Sequence, residues 1–436
     1  MTTISSSTSP VISASTSKPS AIMPPTEFSL PGPTLLDVEA ARVTVRGVAD
    51  VTPIETSRFL SEILGVPVFL KCENLQRTGS YKIRGAYNRM SKLTDDEKAR
   101  GVVAASAGNH AQGVAFAARQ LGIAATIFMP IGVSLPKLQA TRAYGAEVVL
   151  GGQTVAEPLR AGQEFAKRTG AVYIPPFDHA DVIAGQGTVG LELLDQVPEL
   201  ETVVVPIGGG GLIAGVASVL KQRAAQEGRR IRVIGVQASN AAAYPVSLAA
   251  GVATEISISP TIADGIAVAK PGKLNFDIIR EAVDEVVTVD DDEIAKAMLV
   301  LLERAKMVVE PAGAAGVAAV MSGKIVASGP TVVVLSGGNT DPLVMQRVIA
   351  YGLAASERYL KLRIPLPDRP GQLARTSEIV AEQNANVVEV LHTRHGSGLA
   401  ISQVELELHI ETRGPEHAEQ VMSALRDAGY DPRVDF

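Results

Sequence analysis

Short apolar runs of β-forming residues alternate with alanine-rich helical stretches between about residue 40 and residue 345. The candidate strands are Val66–Lys71, Gly101–Ala105, Ala125–Met129, Glu147–Leu150, Thr202–Pro206, Arg232–Gln237, Glu285–Val289 and Thr331–Leu335. Strands that are apolar on both faces are typical of parallel sheets covered by helices on each side. The sequence therefore predicts an α/β fold that is doubly wound.

The pattern changes after residues 346–358, which are predicted to form a helical connector. Alternating strands are predicted from Tyr359 and around residues 404–410, with shorter strands at Val387–Leu391 and Pro432–Val434. The two helices between them are predicted to bury Leu373, Ile379 and Val380 in one, and Ala418, Val421, Leu425 and Ala428 in the other. The order β-α-β-β-α-β is that of a ferredoxin-like unit, so residues 359–436 are predicted to form a separate domain.

Composition excludes several classes of protein. The net charge of −6 over 436 residues offers no basic surface for nucleic acid, and no apolar run is long enough to span a membrane. Residues 1–33 are rich in Ser, Thr and Pro and lack the pattern of a secretory signal, so we expect them to be disordered. Cys72 is the only cysteine, which fits a buried position and a reducing, cytoplasmic setting.

Three glycine-rich loops each follow a candidate strand and precede a helix: Ser106–His110, Gly208–Gly211 and Ser336–Asn339. Ligands bind at the carboxyl ends of parallel strands, where glycines let backbone N–H groups approach an anion. The second loop leads into a helix starting near Leu212 and is the best candidate for a phosphate site. The next strand ends in Gln237 rather than an acidic residue, so a compact monophosphate is favoured over a dinucleotide.

Lys82 is the candidate nucleophile. It lies between Tyr81 and Ile83 in the segment Thr78–Ala86 and opens an apolar helix. A lysine in such surroundings loses charge by desolvation and can attack an aldehyde.

This segment and the glycine loops together resemble the fold-type II pyridoxal-phosphate (PLP) enzymes, and within them the threonine dehydratases (threonine ammonia-lyases) and serine racemases. The resemblance runs from about Pro53 to Asp341. It implies a catalytic domain at residues 34–345, built of two open, mostly parallel doubly wound subdomains, the smaller at about 85–180.

The resemblance also implies a role for each site residue. Lys82 would hold PLP as a Schiff base beside the ring of Tyr81, and Asn109 would bond the ring hydroxyl oxygen. The phosphate would be held by the backbone of Gly208, Gly209, Gly210, Gly211 and Leu212, and the ring nitrogen by Ser336. The substrate carboxylate would be held by Ser106, Ala107, Gly108, Asn109 and His110.

Two residues favour β-elimination. The hydroxyl of Ser336 is expected to leave the ring nitrogen neutral, which favours prompt loss of a β-leaving group. Ala107 stands where the racemases have a proton-donating serine, and racemisation needs acid–base groups on both faces. The predicted activity is conversion of L-threonine to 2-oxobutanoate and ammonia, and of L-serine to pyruvate. The alternatives are a serine racemase, a 3-hydroxyaspartate ammonia-lyase, or an amino-acid sensor on an inactive PLP scaffold.

No metal site is predicted. Gln237 and Ala243 stand where the racemases have acidic ligands for a divalent cation, although carbonyl ligation of a monovalent cation stays open. The acidic run Asp290–Glu293 is interpreted as the N-terminal turn of a helix.

The C-terminal domain resembles the ACT domains, which sense amino acids. The resemblance lies in Asp368–Leu373 and in Asn386 at the start of a strand. It implies an allosteric site near Gly371 and Asn386 in a homo-oligomer (dimer or tetramer), with isoleucine or valine as effector in isoleucine biosynthesis. A catabolic role and the sign of the effect stay open. Assembly without a ligand is the alternative role for this domain.

Overall fold

The protein is described by a computed structural model at residues 30–154, 156–394 and 402–435. Its strands are β1 Ile54–Thr56, β2 Val68–Lys71, β3 Val102–Ala105, β4 Ala125–Met129, β5 Glu147–Leu150, β6 Val172–Tyr173, β7 Thr202–Pro206, β8 Arg232–Ala238, β9 Glu285–Val289, β10 Thr331–Val334, β11 Tyr359–Pro367, β12 Asn386–Thr393, β13 Gln403–Glu411 and β14 Arg433–Val434. The prediction of disorder for residues 1–33 falls almost entirely outside the described residues and stays a prediction.

The helices connect these strands in the alternating order that the sequence predicts. They are α1 Leu35–Val45, α2 Arg58–Leu64, α3 Lys82–Ser91, α4 Asp95–Arg100, α5 Asn109–Leu121, α6 Leu135–Ala143, α7 Ala156–Thr169, α8 Ala180–Gln196, α9 Gly211–Glu227, α10 Ala243–Ala250, α11 Lys273–Ala282, α12 Asp291–Val300, α13 Pro311–Met321, α14 Pro342–Ala355, α15 Gln372–Glu382 and α16 Pro415–Asp427. None of the helices in the described ranges combines the length and the apolar character that a bilayer crossing requires.

Two parallel sheets form the first part of the chain. The larger has the order β1-β2-β10-β7-β8-β9, in which only β1 is antiparallel to its neighbour. The smaller has the order β5-β4-β3-β6 and is parallel throughout. Successive residues of β7 enter different clusters, Val204 on one face and Val203 and Val205 on the other, so both faces of the sheet are buried under helices. The predicted doubly wound α/β fold is confirmed.

All eight predicted strands of this part are present, with ends that differ from the prediction by at most two residues. The sequence reasoning missed β1 and β6, which have three and two residues and are too short to show a period. Helix α9 begins at Gly211, one residue before the predicted start. The acidic run is the N-terminus of α12, where Asp290 and Glu293 form a capping box that satisfies two backbone N–H groups.

The C-terminal sheet is antiparallel, with the order β12-β13-β11-β14, and α15 and α16 cover one of its faces. The predicted β-α-β-β-α-β order is confirmed. Two details were wrong: Leu373 is 39% exposed because the buried face of α15 is formed by Thr376, Ile379 and Val380, and Ala428 is exposed because α16 ends at Asp427. The helix that leads into this sheet begins at Pro342, four residues before the predicted start of the connector.

Candidate active site

The three glycine-rich loops meet at one cavity of about 280 Å³. They follow β3, β7 and β10, so the cavity lies between the carboxyl ends of strands from both parallel sheets. Its lining includes every residue predicted from the sequence to bind cofactor or substrate: Tyr81, Lys82, Ser106, Ala107, Gly108, Asn109, His110, Gly208, Gly209, Gly210, Gly211, Leu212 and Ser336. Tyr81 and Ser336 are 255 residues apart in the sequence, but the Tyr81 N–H donates a hydrogen bond to the Ser336 carbonyl (3.3 Å).

Lys82 is the first residue of α3, and its amine lies inside the cavity lining. The Nζ atom donates to the carbonyl of Pro176 (3.0 Å) and lies 5.2 Å from the centre of the Tyr81 ring. Burial lowers the pKa of Lys82 to about 8, although the nearby Glu310 charge opposes this effect. About a tenth of the amine is therefore uncharged at pH 7 and able to attack an aldehyde.

The loop Gly208–Gly211 and the start of α9 form an anion cradle. Among the described residues, none of the backbone N–H groups of Gly208 through Leu212 has a hydrogen-bond acceptor in the protein. Gly210 has a φ of +96°, and a side chain at Gly209 would overlap the ring of Phe177. Unsatisfied N–H groups at a helix N-terminus are well suited to a phosphate dianion.

A second set of polar groups lines the same cavity at the N-terminus of α5. The Ser106 hydroxyl accepts from the N–H of Gly108 (3.2 Å), which fixes the turn. Lys137 reaches this turn from α6 and forms an ion pair with Asp264 (2.7 Å), which belongs to the part of the chain that carries the larger sheet. The N-terminus of α5 and the Lys137 amine therefore offer groups that can bind a carboxylate.

Asn109 is held by two partners from distant parts of the chain. Its Nδ2 donates to Glu310 (2.7 Å), and its Oδ1 accepts from the amide of Asn339 (2.8 Å). The Glu310 residue is only 4% exposed. Burial, and secondarily the charge of Asp264, raise the pKa of the Glu310 carboxyl to about 7. The sequence reasoning did not find Glu310 or Lys137. The signal for Glu310 is that it is the only charged residue between Lys306 and Lys324.

Two other predicted residues differ in their surroundings. The Ser336 residue is 4% exposed, and its hydroxyl has no hydrogen bond to the rest of the described chain, which leaves it available to a ligand. His110 is also buried, but its Nε2 lies 2.9 Å from the carbonyl of Ile174, and burial lowers its pKa to about 3. The imidazole is therefore neutral, with Nε2 as the donor, and its contact is structural.

A buried ion network fixes α3, the helix that begins with Lys82. The guanidinium of Arg84 donates to the carboxylates of Glu73 (2.7 and 2.8 Å) and Glu192 (2.6 and 3.0 Å). The amine of Lys71 is fully buried and donates to Glu192 (2.5 Å), Gln196 (2.9 Å) and the Thr52 carbonyl (2.9 Å). All three donors of Lys71 are used here, so this lysine is not a competing nucleophile.

The remaining predicted positions lie outside the cavity. Gln237 is fully buried; its Oε1 accepts from the Tyr244 N–H (2.8 Å), and its Nε2 makes longer contacts, of 3.4 Å each, with the carbonyls of Ile207 and Ala241. The described residues contain no cluster of His, Cys, Asp or Glu suited to a metal. Cys72 is buried as predicted, and burial raises the pKa of its thiol to about 12.

The two predicted regulatory residues lie in the C-terminal unit. Gly371 precedes α15 with a φ of +91°, and the space where its side chain would lie is open. Asn386 begins β12, is exposed, and donates to Glu411 (3.2 Å). Neither residue lines the cavity.

The fold and the cavity define a class of enzyme that binds an aldehyde cofactor carrying a phosphate group, because a desolvated lysine lies beside an anion cradle. Residues 45–337 match the sequence profile of the pyridoxal-phosphate dependent enzymes, and residues 362–429 match that of the ACT domain. The chain thus belongs to the pyridoxal-phosphate-dependent enzyme family and has a C-terminal ACT domain.

Similar proteins from bacteria and plants match most of the chain. The L-threonine ammonia-lyase of Thermotoga maritima is 46% identical over 401 residues, which cover 92% of this chain and 99% of that protein. The processed form of threonine deaminase isoform 2 from Solanum lycopersicum is 37% identical, with a TM-score of 0.68 over 76% of this chain and 98% of that one. The serine racemase of maize is 35% identical, with a TM-score of 0.69 over 74% of this chain and 98% of that one.

Proposed function

We propose that this enzyme catalyses β-elimination from L-threonine, giving 2-oxobutanoate and ammonia, and that it also converts L-serine to pyruvate. The Cα–H and Cβ–O bonds break, the hydroxyl leaves as water, and the released enamine is hydrolysed in solution. The observation that carries the proposal is the buried Lys82 amine, which lines one cavity together with the anion cradle and with the α5 N-terminus. The cradle is suited to a phosphate and the α5 N-terminus to a carboxylate.

The residues present fit pyridoxal phosphate. Bound there, the cofactor supplies an aldehyde for the amino group and an electron sink for the bonds that break. The unsatisfied N–H groups of Gly208–Leu212 would hold its phosphate, and Ser336 and Asn109 would hold the ring through its nitrogen and its hydroxyl oxygen. Tyr81 would lie beside the ring.

The chain's own residues then bind the substrate and move its protons. The turn Ser106–His110 and Lys137 would hold the substrate carboxylate. With its pKa lowered to about 8, Lys82 can take the Cα proton as a general base. At Ala107, the side chain has no group that could return a proton from the other face, which supports elimination rather than racemisation.

The test is a product assay across L-threonine, L-serine and 3-hydroxyaspartate, with chiral chromatography of the remaining amino acid. We expect keto acid from threonine and serine, without D-serine and without a requirement for a divalent cation. D-serine as the main product would favour a serine racemase, and keto acid from 3-hydroxyaspartate alone would favour that ammonia-lyase. A protein that binds amino acids but releases no keto acid would be a sensor.

We infer further that residues 34–345 form the catalytic domain, with a smaller subdomain at about 85–180, and that residues 359–436 form a regulatory domain. Strand β12 is an edge strand whose Val388, Val390 and Leu391 are 39–51% exposed. Unpaired apolar edges favour pairing between copies, which supports a dimer or tetramer. The lone buried cysteine supports a cytoplasmic location.

We propose isoleucine or valine as the effector, bound near Gly371 and Asn386, as expected for an enzyme of isoleucine biosynthesis. A coupling of about 1–3 kcal/mol would change the apparent affinity for threonine about 5- to 150-fold. The test compares threonine saturation by the full chain, by Asn386→Ala and by a chain ending at residue 355, each with and without both amino acids. If all three curves coincide under every addition, the domain serves assembly only. Light scattering on the same samples measures the oligomeric state.

A further inference from the structure

The carbonyl group of Gly209 is held by an unusual number of donors. It accepts from the Tyr244 hydroxyl (3.1 Å), from Nδ2 of Asn275 (2.9 Å) and from the N–H of Gly272 (3.3 Å). Tyr244 and Asn275 are fully buried and lie outside the cavity lining, so neither would touch a ligand there. Turning this carbonyl away would leave buried donors of Tyr244 and Asn275 without an acceptor, so its direction is strongly fixed.

Fixing this carbonyl also fixes the neighbouring N–H group. In a planar trans peptide, the C=O of one residue and the N–H of the next point in opposite directions. The carbonyl of Gly209 points to α10 and α11, which carry Tyr244 and Asn275. The N–H of Gly210 must therefore point away from those helices, and it is one of the N–H groups in the anion cradle that have no acceptor among the described residues.

The residues that hold the carbonyl are themselves fixed. Asp178 caps α11 by accepting from the N–H groups of Lys273 and Leu274 (3.0 Å each), which holds the helix turn that carries Asn275. Asp178 directly follows Phe177, whose ring packs against the glycine loop. The backbone of Tyr244 is bonded to Gln237 (2.8 Å). These contacts fix the backbone that carries the side chains of Tyr244 and Asn275, which together are called the brace.

We propose that Tyr244 and Asn275 are positioning residues for the cofactor's phosphate: they hold the Gly209 carbonyl outward so that the anion cradle is preformed. This inference rests on the proposed cofactor site. Without the brace, the peptide would be free to turn its carbonyl toward the cavity, where an oxygen would repel a phosphate. Loss of the brace should therefore weaken the binding of the phosphate group and leave the contacts of the aldehyde and the ring unchanged.

The test compares pyridoxal phosphate with pyridoxal, which lacks the phosphate, as ligands of the full chain freed of its cofactor. Dissociation constants are measured by absorbance titration for the wild type, Tyr244→Phe, Asn275→Leu and the double variant. We expect each single variant to bind pyridoxal phosphate about 5- to 50-fold more weakly. Pyridoxal binding should change less than about twofold, because no hydrogen bond to the ring is altered.

The matched control is Tyr351→Phe, which removes a tyrosine hydroxyl bonded to Asp292 on the surface and should change neither constant. If Tyr244→Phe and Asn275→Leu weaken the binding of both ligands equally, the fold has loosened in general. If their dissociation constants are unchanged, the cradle needs no brace. Either result overturns the inference. If the wild type itself binds the two ligands equally, the phosphate site of the proposed function is wrong instead. Asn275→Leu tests the same carbonyl should Tyr244→Phe fail to fold.

Discussion

The buried carboxyl of Glu310 predicts an unusual dependence of stability on pH. Its pKa rises from the usual 4.5 to about 7 because the group is buried and lies near Asp264. A carboxyl whose pKa is raised by folding stabilises the folded state below pH 4.5, and this stabilisation is lost as the pH rises through 7. Each pKa unit corresponds to about 1.4 kcal/mol, so the full loss is roughly 3 kcal/mol, of which roughly 2 kcal/mol falls between about pH 5.5 and 8.5.

The perturbation is Glu310→Gln, which keeps an acceptor for the Asn109 amide and removes the charge. The variant lacks this titration, so its unfolding free energy should rise relative to that of the wild type as the pH increases. We expect the difference between the two chains to grow by roughly 2 kcal/mol from about pH 5.5 to about pH 8.5. The assay is urea unfolding of both chains, free of cofactor, at the two pH values. The control is Glu281→Gln, an exposed position on α11 that should shift stability equally at both. A constant difference between Glu310→Gln and the wild type would refute the buried-carboxyl argument.

Two further predictions follow from the packing around the cavity. Arg84→Met leaves two buried carboxylates without this counter-charge and should lower the unfolding free energy by roughly 3–5 kcal/mol. The control Arg42→Met, at an exposed ion pair, should lower it by less than about 1 kcal/mol. Equal losses in urea titrations of the two variants would contradict the importance of the buried network. Gly209→Ala places a methyl group against the Phe177 ring and should weaken pyridoxal-phosphate binding at least about tenfold, whereas Gly132→Ala, which points into open space, should not. Tight cofactor binding by Gly209→Ala would show that the loop is more adaptable than its contacts indicate.

Much of the site could be predicted because it is built from local signals. Each glycine loop directly follows an apolar strand, and the carboxyl ends of parallel strands meet at one edge of a sheet, so loops that are far apart in sequence converge. Lys82 carries its signal in its immediate neighbours, Tyr81 and Ile83. The strands of the ACT domain could also be predicted from local sequence, because apolar and polar residues alternate along them. The apolar residues of β11 are all buried, as this alternation predicts: Leu360, Leu362, Ile364 and Leu366.

The residues that were missed depend on contacts between distant parts of the chain. Glu310 reaches the cavity because the start of α13 packs on the Ser336 loop, where the Glu310 N–H donates to the Gly337 carbonyl (3.0 Å). Tyr244 and Asn275 act through their contacts with one carbonyl, and no period or motif marks such contacts. Leu373 was predicted to be buried because it is apolar, but Thr376 occupies the inward position of that helix turn.

The most direct test of the central claim is to locate the amine that holds the cofactor. The purified full chain is reduced with borohydride, digested, and searched by mass spectrometry for the lysine that carries the reduced pyridoxyl phosphate group. We predict the group on Lys82 alone, because burial lowers its pKa to about 8 whereas Lys71 and Lys137 are held in ion pairs. Attachment to Lys71 or Lys137, or a cofactor that remains bound but is never fixed to the chain, would contradict the account.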